Sequence, residues 1–375
     1  MYLAGRLVHR SAQSVQEQAA AEYIERRFQE HTRDVSRDPF GAIENPLYLF
    51  ASYYSEFLVV TVLAVWWPAI ALGYGFAIFL AYLMEFMGYR LFERLLPHFD
   101  SQNVSARFMG VRPERLLIVT AYYDSGVLSP LSHPTVVRLL RPAHTALLFA
   151  MVVILATCAI DAAAEMGVTA FPGAATVRYA AAGFVLIGAA FLYYASARGE
   201  DIRGANNNAS GVSALLRLAE ALAARPIDGA DVWLVATGSH EAWMSGMRHL
   251  IRTGNTGRHG VRIINLEAIG AGELHYLERE GFLHSMAAGK QLLAAARELG
   301  PKHGVSPGTL KAVLTEAHIP LSRGYEALTI MGLGEDHLPC RWHQAEDRVT
   351  SVDERKITQA AAFTEALLRH LEKRD

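Results

Sequence analysis

Five short clusters of polar residues hold the side chains of this 375-residue chain that could do chemistry. They contain carboxylate, imidazole, amide and phenol groups, which bind metal ions, move protons or stabilise a developing negative charge. Each cluster alone is a weak signal, because a single histidine or acidic run is more often a structural or solvated feature. The clusters are Ala-Tyr-Tyr-Asp-Ser (121–125), Gly-Ala-Asn-Asn-Asn-Ala-Ser-Gly (204–211), Gly-Ser-His-Glu (238–241), Asn-Leu-Glu (265–267) and Trp-His-Gln-Ala-Glu-Asp (342–347).

The hydrophobic pattern predicts the elements that position these clusters. Short apolar runs bounded by turn residues predict strands, and apolar residues at helical spacing predict helices. Alternating strands and helices indicate a layered α/β sheet with parallel pairs, and polar groups at strand ends are the expected place for a site. The predicted strands are 104–109, 116–121, 232–237, 261–266 and 327–331, and the predicted helices are 13–33, 212–224, 242–252, 287–299 and 353–371.

The order of the clusters resembles metallopeptidase family 28, the co-catalytic zinc aminopeptidases, which also includes glutamate carboxypeptidase and the glutaminyl cyclases. Three further stretches support the resemblance: Asn103-Val104 with Gly110 and 117–119, Thr-Glu-Ala at 315–317, and Arg-Gly at 323–324. The resemblance covers nearly all of the polar chain. It implies a zinc-exopeptidase-like fold, in which a mixed, largely parallel sheet is flanked by helices.

Three positions depart from the family pattern. The family's first cluster reads His-x-Asp, with a zinc-binding His and an orienting Asp; here Tyr122 replaces the His and Asp124 is kept. In the second cluster Asn207 stands where the family has an Asp that bridges two metals. In the third cluster His240 takes the position of the general-base Glu, and the metal-binding Glu that follows is retained as Glu241.

The last two clusters keep the family's residues. The resemblance makes Glu267 and His343 metal ligands, and Asp347 matches the acidic position that follows the His. Two zinc ions need a shared anion to screen their repulsion, and Asn207 offers only a neutral oxygen. We therefore expect at most one zinc ion, held by Glu241 and His343 with Glu267 or His240 completing a tetrahedral set. Ligand type leaves manganese and iron open.

His240 and Tyr122 are the candidate catalytic side chains. The ordinary pKa of histidine suits His240 to the role of general base, although a metal ligand cannot also be a free base. Tyr122 could donate to a developing oxyanion, or it could fill the space of a lost metal.

Three functions are consistent with these residues. The favoured one is a metal-dependent hydrolase of peptide or amide substrates, similar to an aminopeptidase. The alternatives are an inactive pseudopeptidase that serves as a binding or scaffold module, and a glutaminyl-cyclase-like acyl transferase. Nucleic acid is not expected as a partner at a net charge of −2, and no protein partner is indicated. The segments 270–282 and 331–341 are expected to be the loops that line the substrate pocket.

Long apolar runs predict a membrane protein. The segments 57–89, 144–164 and 177–197 are apolar enough for spanning helices, and they interrupt a peptidase-like domain formed by residues 1–56, 96–143 and 198–375. Since that domain lies on one side of the membrane, each insertion must cross an even number of times. We expect two hairpins, at 57–95 and 144–197, with the first turn near Gly73–Gly75; a re-entrant element is the alternative for the first insertion.

The charge distribution predicts the orientation. Arginines border the apolar runs on the side of the polar domain, whereas the connection between the last two runs holds Asp161, Glu165 and a single Arg178. By the positive-inside rule the polar domain and both termini are expected in the cytoplasm. The first thirty residues carry charges throughout and do not resemble a signal peptide. Cys158 lies in an apolar run and Cys340 in a polar stretch, so a disulfide framework is not expected.

Overall fold

The structure, a computed structural model, describes residues 2–168, 171–254, 260–311 and 313–372. The chain forms two compact units. The first, named here the α/β unit, comprises Met1–Glu44, His98–Leu128 and Glu200–Asp375. The second, named the helical unit, comprises Asn45–Pro97 and Ser129–Gly199.

The elements are numbered along the chain. The strands are β1 (Val35–Ile43), β2 (His98–Phe108), β3 (Arg115–Tyr122), β4 (Val127–Leu128), β5 (Glu200–Asp201), β6 (Ala230–Thr237), β7 (Val261–Glu267), β8 (Glu273–Glu280), β9 (Met286–Ala287), β10 (Ser306–Leu310) and β11 (Glu326–Leu333). The helices are α1 (Tyr2–Gly5), α2 (Val15–Gln29), α3 (Pro46–Leu63), α4 (Pro68–Phe86), α5 (Pro134–Glu165), α6 (Ala174–Ala197), α7 (Ser210–Ala224), α8 (Ser245–Thr253), α9 (Lys290–His303), α10 (His318–Ser322) and α11 (Glu354–Glu372).

A mixed sheet forms the centre of the α/β unit. Within the described residues it has nine strands in the order β1-β2-β6-β3-β7-β11-β8-β10, with β9 paired to β8. The four central strands β6, β3, β7 and β11 are mutually parallel, whereas β2 and β8 flank them in antiparallel pairing. The carboxyl ends of four neighbouring strands therefore lie at one edge of the sheet.

Helices cover both faces of this sheet. Ile118 and Val119 are consecutive in β3 but belong to different buried clusters, because successive strand residues point to opposite faces. Helices α2, α7, α9 and α11 pack on the face of Val119, and α8 and α10 pack on the face of Ile118. The predicted α/β class with a sheet flanked by helices is confirmed, and every predicted strand and helix of the polar chain overlaps an observed element.

Six of the described strands were not predicted, and β1 and β8 are the longest of them. The segment 270–282, expected to be a pocket loop, is largely the strand β8, so that prediction was wrong. Its alternation of exposed charges with buried Leu274 and Tyr276 is a strand signal hidden by a polar composition. The edge strand β1 contains Pro39, which a central strand does not tolerate but an edge strand does.

The helical unit is an antiparallel bundle of α3, α4, α5 and α6, each in contact with its chain neighbours and α3 also with α6. Prolines stand at the first turn of α3, α4 and α5, where their missing N–H group costs no helical hydrogen bond. All four of these helices, taken over the described residues, are long and apolar enough to cross a membrane.

The turn of the first hairpin lies at 64–67, and not at Gly73–Gly75 as expected. Both glycines lie inside α4. A Cβ on Gly75 would come within 2.7 Å of Leu155 and 3.0 Å of Val60, so this glycine allows close approach between helices. The hairpin also begins earlier than predicted, at Pro46, because the first half of α3 buries tyrosines such as Tyr53, whose hydroxyl donates to Glu85 at 2.9 Å.

Candidate metal centre

The site lies where the four central strands end. Tyr122 is the last residue of β3, 238–241 follows β6, Glu267 is the last residue of β7, and 334–347 follows β11. Several non-glycine residues in or next to these segments have left-handed backbone, among them Ser239, Ala268 and His343 with φ of 50°, 49° and 50°. Non-glycine residues in this conformation are strained and cluster at functional sites.

Asp124 fixes the loop that follows β6. Its buried carboxylate accepts the backbone N–H groups of His240 and Glu241, each at 2.9 Å. Burial, followed by the charges of Glu17 and Glu241, raises the pKa of Asp124 well above its ordinary value. The retained aspartate thus orients Glu241 through the main chain.

Glu241 and His343 come together, and their polar atoms face one small space. His343 Nε2 lies 3.0 Å from Glu241 Oε1. Gly126 borders the same space: a Cβ there would lie 2.5 Å from His343 Nε2 and 2.8 Å from Glu241 Oε1. The two side chains are 13% and 17% exposed, so that an ion can reach them from solvent. We name this feature the Gly126 cradle.

The charge state of Glu241 suits a metal ligand. Burial would raise the pKa of Glu241, but the neighbouring His343 lowers it below its ordinary value. A ligand carboxylate must be deprotonated to bind a metal, and Glu241 therefore meets that requirement at neutral pH.

Asn207 has an amide group that the protein leaves unsatisfied. It lies in a π-helical turn, Ala205–Ala209, where Asp347 accepts the N–H groups of Asn206 and Asn207 at 2.6 and 3.0 Å. Neither polar atom of the Asn207 side chain has a hydrogen-bond partner among the described residues, although both are buried. A buried polar group of this kind is costly unless something else binds it.

His240 and Tyr122 form a stacked pair beside the cradle residues. Their ring centroids are 3.7 Å apart and the planes differ by 9°. His240 Nδ1 lies 3.6 Å from Glu316 Oε1, and Thr237 Oγ1 donates to that carboxylate at 2.7 and 2.8 Å. The Tyr122 hydroxyl is buried without a partner in the described part of the chain.

The surroundings make His240 a cation at neutral pH. Burial alone would lower its pKa, but the Glu316 carboxylate and the charges of Glu267 and Glu241 raise it to about 10. A group that holds its proton at pH 7 cannot take one from water. The raised pKa favours a fixed positive charge or a proton donor at this position, and the general-base role of His240 stays a prediction. Burial, followed by the charge of Glu267, raises the pKa of Tyr122 well above its ordinary value, so the phenol stays neutral.

Glu267 is buried at the end of β7 and accepts a hydrogen bond from Asn265 Nδ2 at 3.1 Å. Burial raises its pKa to about 8. Across residues 2–168, 171–254, 260–311 and 313–372, no group of three His, Cys, Asp or Glu side chains is arranged to hold a metal ion. Glu267 and His240 thus do not join Glu241 and His343 as a third ligand of those types.

The described residues bring together two donors suited to one metal ion, from Glu241 and His343. Both donors face the Gly126 cradle, and the Asn207 amide is buried without a partner in the described part of the chain. The Tyr122–His240 stack carries a positive charge of its own, which disfavours a further cation beside it. Like charges close together in a buried site repel strongly.

Sequence reasoning missed the groups that support the site from behind. Glu316 lies in a stretch used only to recognise the family, and nothing in its sequence spacing points to His240. Glu17 of α2 accepts the N–H of the strained Ser239 at 2.7 Å, and Arg10 precedes every predicted cluster. Only the tertiary structure brings these residues to the site.

The comparisons with known proteins agree with this architecture. Residues 186–368 match the model of Peptidase family M28. The chain has the M28 fold. Proteins with this fold are typically zinc aminopeptidases or glutaminyl cyclases.

Solved structures extend the likeness in fold over nearly the whole chain. A zinc aminopeptidase from Bacillus subtilis is 13% identical, with 100% of this chain and 94% of that chain covered at a TM-score of 0.56. A glutaminyl cyclase from Bacteroides thetaiotaomicron bound to N-acetylhistamine is 12% identical (98% and 94% covered, TM-score 0.55). A Zn-dependent exopeptidase from Parabacteroides distasonis is also 12% identical (99% and 96% covered, TM-score 0.53). At these identities the likeness shows the fold alone, and no curated protein matches the chain.

Proposed function

We propose that this protein is a membrane-bound hydrolase of peptide or amide bonds that uses one metal ion, held by Glu241, His343 and Asn207. The observation that carries the proposal is the Gly126 cradle, in which a carboxylate oxygen and an imidazole nitrogen lie 3.0 Å apart around a space that any side chain at position 126 would close. Zinc suits this donor set. When bound there, zinc would supply Lewis-acid polarisation of a scissile carbonyl.

The chain's own residues contribute stabilisation of developing charge and the placement of the donors. His240 places a positive charge beside the cradle, and Tyr122 holds an unshared O–H group next to it. Both are suited to stabilise negative charge that develops on a carbonyl oxygen. Asp124 and Asp347 keep Glu241 and Asn207 in place through the main chain.

The membrane part of the proposal concerns the helical unit. Its four helices carry apolar residues on their exposed faces as well as on their buried faces, as expected for a bundle in lipid. Trp66 and Trp67 are exposed at the α3–α4 turn, and Tyr48 and Tyr194 are exposed at the other end of the bundle. Aromatic residues at both ends are typical of helices that span a bilayer. We propose two transmembrane hairpins with both termini in the cytoplasm.

The test is a turnover assay on detergent-purified full-length protein. Chelator-stripped and zinc-reloaded samples are given aminoacyl amides, short peptides and a peptide with N-terminal glutamine, and products are identified by mass spectrometry. We expect turnover only in the reloaded sample, and its loss in His343→Ala but not in the exposed control His284→Ala. Turnover that survives both the chelator and His343→Ala would overturn the proposal. A pyroglutamyl product would identify the acyl-transferase alternative.

A binding module without catalysis is the second candidate. The observation in its favour is the setting of His240 beside Glu316, which raises the pKa of His240 to about 10 and disfavours its accepting a proton from water. The two candidates differ in one result. A binding module retains zinc-dependent peptide binding in a fluorescence-polarisation assay while no peptide is consumed.

A further inference from the structure

Arg10 is the most completely buried cation in the described part of the α/β unit, with no exposed surface. It lies between α1 and α2, far along the chain from every cluster of the site. Burial lowers its pKa to about 10, while the charges of Asp124 and Asp347 act in the opposite direction. The guanidinium group therefore keeps its charge at neutral pH.

The fork of this guanidinium joins the N-terminal segment to two loops of the site. All its hydrogen bonds but one go to main-chain carbonyl oxygens, and the exception is the Asn208 side chain. The acceptors are Tyr123 O (2.9 Å), Leu3 O (2.6 Å), Leu7 O (2.8 Å), Arg203 O (3.1 Å), Gly204 O (3.3 Å) and Asn208 Oδ1 (2.9 Å).

Both loops lead directly to metal donors. Asn208, which accepts from Arg10, donates in turn to the carbonyl oxygen of Asp124, and the Asp124 carboxylate holds the N–H group of Glu241. On the other side Arg10 holds the carbonyl of Gly204, at the start of the turn in which Asp347 holds the N–H group of Asn207. One side chain thus connects the two aspartates that orient the donors.

We propose that Arg10 is a positioning residue of the metal centre, which sets metal affinity by holding the 122–125 and 204–208 loops in register. The effect on metal affinity rests on the proposed single-ion function. The positioning of the two loops by Arg10 rests on its hydrogen bonds alone. Lysine cannot replace the arginine, because its single ammonium group offers three donors from one atom and cannot span acceptors on both sides of the fork.

The experiment compares Arg10→Lys with Arg217→Lys in the full-length protein in detergent. Arg217 lies on the surface of the same unit, with 41% of its side chain exposed and a carboxylate partner in Glu354, so it controls for the loss of a guanidinium group. Two quantities are measured: amide hydrogen exchange in chelator-stripped protein, and zinc affinity by competition with a fluorescent chelator.

In Arg10→Lys we expect exchange about tenfold faster in the segments 204–208 and 239–241, with exchange unchanged in the central strand β7, which serves as the internal reference. Zinc affinity should fall about tenfold, the lower end of the effect of removing a group that orients a ligand. Arg217→Lys should match the wild type in both measurements. A purely structural role would instead accelerate exchange throughout the unit, β7 included.

Unchanged exchange in both loop segments would overturn the inference, as would faster exchange that is uniform across the unit. If Arg10→Lys does not fold, Asn208→Ala removes the side-chain link from the other partner and is judged by the same two segments and the same reference. If the wild type binds no zinc, the proposed function fails. The exchange data still show whether Arg10 positions the two loops.

Discussion

The substitution Gly126→Ala closes the proposed cradle with a single methyl group. Its carbon would lie 2.5 Å from His343 Nε2 and 2.8 Å from Glu241 Oε1. Ordinary contact for a methyl carbon begins at about 3.5 Å, so the methyl is too close by about 1 Å to one donor and 0.7 Å to the other. At least one donor must move, and misplaced ligands weaken metal binding by about 10- to 100-fold.

The expected change in stability follows from binding linkage. At a zinc concentration of about 100 times the wild-type Kd, zinc stabilises the wild type by about 2.7 kcal/mol, and a variant bound 100-fold more weakly gains only about 0.4 kcal/mol. The assay is the zinc-dependent shift in thermal unfolding, with chelator as the baseline. Gly5→Ala is the control, because a Cβ there meets only Val349, at 3.9 Å.

Gly126→Ala should lose most of the zinc-dependent shift, and Gly5→Ala should keep it. If Gly126→Ala gains as much stability from zinc as the wild type does, the ion is not held between Glu241 and His343. The baseline in chelator controls for overpacking, which by itself destabilises by about 1–3 kcal/mol with or without zinc.

Three further outcomes are expected. Tyr122→Phe keeps the ring that stacks on His240 but removes the donor, so kcat should fall about 100-fold with zinc affinity unchanged; equal kcat would remove Tyr122 from the chemistry. Burial raises the pKa of Glu280 to about 7. The folded state therefore binds this proton more tightly than the unfolded state, and zinc-free stability should fall by up to about 3 kcal/mol as pH rises from about 4.5 to 7. Glu280→Gln should flatten that part of the unfolding profile, and an unchanged profile would refute the assignment. Reporters fused after Trp67 and after Gly173 should read as non-cytoplasmic and one after Asp375 as cytoplasmic; any other pattern contradicts two hairpins.

Sequence patterns predicted the sheet because its central strands are buried on both faces. β3 is a nearly continuous apolar run and β7 is buried along its whole length, so both the strands and the position of the site at their ends could be inferred. β8 could not, since its charged residues alternate with buried ones and resemble a surface loop. The first helical hairpin was misplaced for a related reason. Hydropathy underrates the tyrosines of α3, whose hydroxyl groups are satisfied inside the bundle.

The candidate site was predictable in identity but not in chemistry. The five clusters contain the candidate donors and the stacked Tyr122–His240 pair, yet the raised pKa of His240 depends on Glu316, which approaches from a loop distant in sequence. The Gly126 cradle was equally hidden, because no pattern marks a glycine as the wall of an ion site. Long-range contacts of this kind arise from tertiary packing alone.

The number of metal ions per chain tests the central claim most directly. Full-length protein is stripped with chelator, reloaded with zinc, freed of excess metal and measured by native mass spectrometry together with elemental analysis, with His343→Ala in parallel. The account predicts one zinc ion per wild-type chain and none in His343→Ala. No bound zinc in the wild type, or two ions per chain, would contradict it.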